Sequence, residues 1–215
     1  KRLAAESYML QNRGGKGIIA AGTKEEDFVE HLFVANSRAT LLCFTNTGKV
    51  HWLKAYQVPE AGRTAKGTAI VNLLQLPQDE RVTSFIPVEK FSTDSFIIMA
   101  TKKGVIKKTA VAEFANPRSG GIIAIGIDEH DSLIDVALTN GRKEILLATA
   151  NGMAVRFDEG SVRAMGRTAY GVTGIKLRDD HVVGMLVVEQ DTHDIHVLTM
   201  TEHGFGKRTP IADYR

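Results

Sequence analysis

The stretch QNRGGKG, residues 11–17, sets Arg13 and Lys16 among the bare backbones of Gly14, Gly15 and Gly17, with Gln11 and Asn12 in front. Glycine has no Cβ, so its backbone can come close to a ligand, and successive N–H groups can form a concavity that holds an anion. A guanidinium adds a planar fork of donors matched to phosphate oxygens. The same association of arginine, small residues, glycine and an apolar run recurs as RTAKGTAIV (Arg63, Lys66, Gly67), RSGGIIAI (Arg118, Gly121) and RTAYGVTGI (Arg167, Gly171). From Gly17 onward these glycines are 50, 54 and 50 residues apart. For one copy alone, a solvated turn is a sufficient reading. For the set it is not: a turn needs its glycine, but turn chemistry does not require an arginine ahead of it four times in phase.

A second basic series follows Thr-x-x-Gly turns. It comprises Lys49 and Lys54, then Lys107 and Lys108, then Arg156, then Lys207 and Arg208. In VIKK and FGKR the adjacent cations point to opposite faces of a strand, so at most one of each pair shares a face with its counterparts. The net charge is only +2, from 27 basic and 25 acidic residues, but it is segregated. EEDFVE (25–30) and DEHDSLID (128–135) concentrate the acids, whereas KKGVIKK (102–108) and RAMGRTAYGVTGIKLR (163–178), which opens on Arg163, contain none. Such segregation can give a nearly neutral chain a one-signed face.

Other chemistries find no support. No Gly-x-x-x-x-Gly-Lys-Ser/Thr loop or Gly-x-Ser-x-Gly elbow occurs. His51, His193 and His196 form no recognisable metal set with Cys43, and DEHDSLID lacks the spacing of a calcium loop. Catalytic residues, metal and cofactors are therefore expected to be absent from this domain. Cys43, in TLLCFT, reads as a buried hydrophobe, and a lone cysteine cannot form an internal disulfide, which suits a reducing compartment. Trp52 reads as packing rather than as a base-stacking platform. No apolar run approaches the roughly 18 residues of a membrane span, and KRLAAESYML has no signal-peptide character, so a cytoplasmic chain without membrane contact is expected.

The elements that must position these cations are strands. Thr-x-x-Gly occurs as TNTG, TKKG, TANG and TEHG, its glycines 56, 48 and 52 residues apart. Each turn lies between an apolar, β-branched run and a second short run, the signature of a hairpin. A further run precedes each hairpin: HLFVA, VTSFIPV, LIDVAL and VVGMLVV. With the Arg-Gly run, each repeat holds about four strands, and no sustained helical periodicity appears. Four-stranded units at this period mark an all-β, propeller-like array whose units must stack. The chain opens with an Arg-Gly run that has no hairpin before it and closes with a hairpin that has no Arg-Gly run after it. Either these orphans pair and close a ring, or the chain is a fragment of a longer array; TPIADYR, stopping within a repeat, favours the fragment.

These motifs resemble the C-terminal domain of the DNA gyrase A protein, the DNA-wrapping part of a bacterial type IIA topoisomerase. QNRGGKG is similar to that family's gyrase box, QRRGGKG, with Asn12 in place of an arginine. The likeness continues through EEDFVEHLFVAN, QVPEAGRTAKGTAIVNLLQLPQDERV, MATKKGVIKKT, VRFDEGSVRAMG and GFGKRT. It implies one β-pinwheel domain over residues 1–215, a propeller in which one strand of each blade is exchanged with its neighbour. About four blades of the usual six are present, and residues 1–17 form an N-terminal segment carrying the box. It further implies that double-stranded DNA wraps on a basic rim, giving direction to ATP-dependent negative supercoiling. Gln11, Asn12, Arg13, Gly14, Gly15, Lys16 and Gly17 would fill the box's role, and Arg63, Lys66, Lys107, Lys108, Arg118, Arg156, Arg163, Arg167, Lys207 and Arg208 would line the path. Implied partners are the remainder of the gyrase A protein and the gyrase B protein, in an A2B2 enzyme whose ATP and Mg2+ are used by other domains. Tyr8, Tyr56, Tyr170 and Tyr214 do not sit in the family's Arg-Tyr-Thr cleavage context. Two alternatives stay open: a topoisomerase IV-type DNA-binding domain, whose members typically lack an intact box, and a propeller-type protein-interaction module with no DNA role.

Overall fold

Each Thr-x-x-Gly turn closes in the same way. The glycine N–H donates to the threonine carbonyl, Gly48 to Thr45 at 2.9 Å, Gly104 to Thr101 at 3.0 Å, Gly152 to Thr149 at 3.1 Å and Gly204 to Thr201 at 2.9 Å. The hydroxyls of Thr101, Thr149 and Thr201 also accept from the N–H just past the glycine. Thr45 bonds Thr47 and the Lys49 carbonyl instead.

The computed structural model describes residues 1–8, 10–23, 28–190 and 194–214. Residues 25–27 of the acidic EEDFVE run and His193 lie outside them. The four expected hairpins are β1 (Thr40–Thr45) with β2 (Lys49–Lys54), β4 (Phe96–Thr101) with β5 (Val105–Ala110), β8 (Lys143–Thr149) with β9 (Ala154–Asp158), and β12 (His196–Met200) with β13 (Gly206–Pro210). Between them run β3 (Val82–Val88), β6 (Ile122–Ile123), β7 (Leu133–Thr139), β10 (Val172–Thr173) and β11 (Val182–Glu189). Helix is limited to α1 (Val71–Leu74) and short 3-10 turns, one following each hairpin.

The sheets are ordered β3-β1-β2-β6, β10-β5-β4-β7, β11-β8-β9 and β12-β13. After its second hairpin the chain returns to the first sheet, where β6 pairs with β2, and only then rejoins its own sheet as β7 beside β4. The next repeat does the same: β10 pairs with β5, and β11 pairs with β8. This is the strand exchange of a pinwheel, and the array is of β-propeller type.

The same rule accounts for three departures from expectation. An Arg-Gly arm needs the hairpin one repeat back, and an apolar run such as β3 needs the hairpin just before it. Residues 13–20, 31–35 and 63–69 form no strand, because among the described residues no hairpin stands ahead of β1 to receive them. The orphan ends do not pair with each other either, since β13 has β12 as its sole strand neighbour among the described residues.

Stacking explains the continuous apolar strands. In β4, alternate side chains face opposite neighbours. Ile97 and Met99 pack with Leu42, Phe44 and Val50 of the first sheet, whereas Ile98 and Ala100 pack with Ile145 and Leu147 of the third. A sheet buried on both faces needs no polar alternation. Leu41 and Cys43 point to the outer face of the first sheet and are covered by Leu53 and by Leu74 of α1. Burial pushes the Cys43 thiol up to about 12.

Candidate nucleic-acid interface

β3 lies against β7, and β7 against β11. These strands occupy one edge of their sheets, where successive blades converge, and the arms β6 and β10 occupy the opposite edge, which is the outer one. The fold therefore carries the Arg-Gly turns to the perimeter.

The cations after the hairpin turns are placed otherwise. Counting from the turn glycine, the fourth residue is Trp52, Lys108 or Arg156 in the first three hairpins. Each reaches across to the 3-10 turn after the following hairpin. Trp52 Nε1 donates to the Phe114 carbonyl at 2.9 Å, Lys108 Nζ to the Glu159 carbonyl at 2.8 Å and Arg156 NH1 to the Ile211 carbonyl at 2.8 Å. Arg2 Nε makes the same reach to the Val58 carbonyl at 3.0 Å. These side chains latch one blade to the next. Lys108 is buried, its ammonium also 5.3 Å from the centre of the Phe96 ring, and half-buried Arg156 has Glu144 at 3.8 Å.

The third residue after the glycine serves the arms. Lys107, fully buried, donates to the carbonyls of Ala124 at 2.7 Å and Arg167 at 2.5 Å. Lys1 holds the carbonyls of Gly62, Arg63 and Ala65 in the same manner. Burial, and then the nearby Arg167 guanidinium, bring the Lys107 ammonium down to about 8, against a smaller opposing effect of Glu113. Lys107 and Lys108 are thus not rim contacts, and Arg156 is largely committed to a carbonyl and a carboxylate. The expectation erred because in-phase recurrence also follows from a latch repeated in every blade.

His51 occupies the Lys107 position in the first hairpin. Its ring lies under Gly121, where a Cβ would come within 2.7 Å of it, and its Nε2 is 3.0 Å from Glu80. Lys49 Nζ bonds the other Glu80 oxygen at 3.1 Å. Burial raises the Glu80 carboxyl, but hydrogen bonds from His51, Thr45 and Lys49 outweigh it and hold the group below its usual value.

The remaining predicted cations are accessible. Arg13, Lys16, Arg63, Lys66, Arg118, Arg163, Lys207 and Arg208 are exposed, and Arg167 is half-buried. Among the described residues none of them forms an ion pair. The QNRGGKG stretch, exposed throughout, is a turn closed by Gly15 N–H on the Asn12 carbonyl at 2.9 Å, with Gly14 and Gly17 at φ of +89° and +67°. Arg118 and Arg167, from successive arms, line one depression with Lys49, Gly120, Gly121 and Thr168. Sequence alone places Lys49 in the basic series but not at this site. Its register opposite Ile123 of β6 becomes visible only once the exchange is known. The acids are employed elsewhere: Asp131 and Asp180 accept from the backbone of Lys103 and Asn151 and so brace hairpin turns. Among the described residues no His/Cys/Asp/Glu cluster is fit to hold a metal, and no helix is long and apolar enough to cross a membrane.

The family model described as "DNA gyrase C-terminal domain, beta-propeller" matches residues 1–36, 39–89, 95–140, 143–189 and 196–215. The DNA gyrase A protein of Salmonella typhimurium is 50% identical over 207 residues, which cover 96% of this chain and 23% of that protein. The Halalkalibacterium halodurans counterpart is 56% identical over 175 residues, covering 81% and 21%. The chain thus spans about a quarter of the length of such relatives. Among solved structures, the C-terminal domain of DNA topoisomerase IV aligns with a TM-score of 0.76 at 28% identity, covering 83% of this chain and 55% of that one. A DNA gyrase A C-terminal domain aligns with a TM-score of 0.72 at 22% identity, covering 100% and 69%, a likeness of fold.

Proposed function

The chain belongs to the DNA gyrase C-terminal domain, beta-propeller, family, and on that footing we propose that it binds double-stranded DNA along the outer edge of its sheets, without sequence preference, and bends the duplex around that edge. The observation that carries this reading is the meeting of Arg118 and Arg167 in one outer depression, free of carboxylate partners among the described residues. Bending 20–30 base pairs by 40–90° costs roughly 1–6 kcal/mol, so a longer wrap needs several phosphates neutralised at once. A row of cations on a stacked, rigid array releases counterions at each step.

In the whole enzyme the wrap presents one duplex segment to another with a set crossing sign, and the core passes strands in one direction. Strand cleavage, ATP and Mg2+ belong to other domains, in an assembly with the remainder of the gyrase A protein and with the gyrase B protein. The box, Gln11 to Gly17, holds one end of the wrap through Arg13 and Lys16, and Asn12 adds a hydrogen-bonding side chain.

Gel shift of random duplex DNA at several salt concentrations tests the reading. Binding is expected, with log K falling by roughly 0.9 per phosphate contacted for each decade of salt. No shift, or a salt-independent one, favours the protein-interaction alternative. In the full enzyme, Arg13→Ala with Lys16→Ala is expected to abolish wrapping and supercoiling while ATP-driven relaxation or decatenation persists. Retained supercoiling refutes the role given to the box.

A further inference from the structure

We infer that the seam between successive arms is a discrete phosphate subsite, in which Arg118, Arg167 and Lys49 converge on the bare backbone of Gly120 and Gly121. It rests on the DNA-binding reading for its biological ligand, a backbone phosphodiester.

Three cations from three separate elements line this depression, and they belong to two adjacent blades. Arg118 is exposed and makes no side-chain hydrogen bond or ion pair among the described residues. Arg167 leans on the Ile123 carbonyl through NH1 at 3.4 Å, a long contact that leaves most of its fork free. Its backbone is held from below by Lys107, whose buried ammonium adds positive field at the floor. Glu80 takes one side of Lys49 but is itself buried, with a side chain 3% exposed, so the carboxylate faces away from the opening. Gly120 has open space where a Cβ would stand, which leaves its backbone approachable. Thr168 contributes a hydroxyl at the rim. Convergent donors, bare backbone and no lining carboxylate suit a tetrahedral anion.

The subsite is tested on the 215-residue chain with two probes, inorganic phosphate and a random duplex. Phosphate titration followed by amide NMR is expected to move Gly120, Gly121 and Thr168. Arg118→Gln with Arg167→Gln is expected to remove those shifts, to weaken duplex binding at least tenfold and to flatten the salt slope by one to two phosphates' worth, roughly 0.9 each. Arg118→Lys with Arg167→Lys, which keeps the charge, should retain most of the binding, and thermal melts establish that each variant is folded. Phosphate shifts that are absent, or unchanged in the folded glutamine variant, overturn the subsite. If the wild-type chain takes phosphate here but binds no duplex, the subsite stands and the DNA reading falls. If the duplex binds equally to wild type and glutamine variant, the subsite falls and the DNA reading stands.

Discussion

The ammonium of Lys107 donates to the backbone carbonyl of Arg167 from 2.5 Å away, so one buried cation holds in place a second that reaches the outer edge. The two series of basic residues thus divide by task. One series fastens blades and arms together, and the other is left for a ligand.

The first prediction separates these tasks. Trp52→Phe keeps the ring and removes only the Nε1–H that Phe114 accepts, so it should cost about 0.5–1.5 kcal/mol. Lys108→Ala leaves the Glu159 carbonyl without its donor and should cost about 1–3 kcal/mol. Urea denaturation measures both. Duplex affinity of the folded Lys108→Ala protein should stay within about twofold, since its interaction with the duplex is only the long-range, screened kind.

Glycine substitutions should discriminate between turns of identical form. All four turn glycines have positive φ, so alanine costs each roughly 1–2 kcal/mol. At Gly48 a Cβ would also meet the Ile125 carbonyl at 2.6 Å, and at Gly104 the Ile175 carbonyl at 2.8 Å, whereas at Gly152 nothing lies within 4 Å. Gly48→Ala and Gly104→Ala should therefore lower the melting temperature clearly more than Gly152→Ala. Equal shifts would show that the arms do not press on those turns.

Acid should act through Glu80. Its carboxyl lies below the ordinary 4.5, so folding favours its ionised form. The associated stability is fully present above pH 4.5 and fades as the pH falls through the lower folded-state value. Glu80→Gln should be less stable than wild type at neutral pH, and the difference should shrink toward about pH 3. Denaturation curves across that range provide the measurement.

Cys43 should resist thiol reagents in the native protein. It is fully buried, and its thiol is raised to about 12, so little thiolate forms at about pH 8. Ellman's reagent should report almost no reaction without denaturant and one thiol with it. Rapid native labelling would mean that the first sheet's outer face opens readily.

Local chemistry made the hairpins legible. Thr-x-x-Gly carries its own hydrogen bonds, and the flanking runs are apolar because both sheet faces are covered. The arms were legible as a repeat but not as partners, because β6 pairs with a strand about seventy residues earlier. Arg118 and Arg167 could be matched to each other because the repeat put them in phase, but their shared depression with Lys49 needed the fold. Lys107 and Lys108 were misread because charge in a sequence does not reveal whether a carbonyl waits opposite it. The separate strand roles of residues 13–20 and 63–69 also failed, since an arm without its hairpin has nothing to pair with.

Because β6 and β10 are lent backward to a neighbouring sheet, the unit that recurs along the gene is offset from the unit that folds. Copying one repeat length inserts part of two sheets, and the new piece is stable only if the existing seam opens and reforms around it. Lineages of this architecture should therefore gain or lose members by whole in-phase steps, and an out-of-phase junction would leave two sheets incomplete.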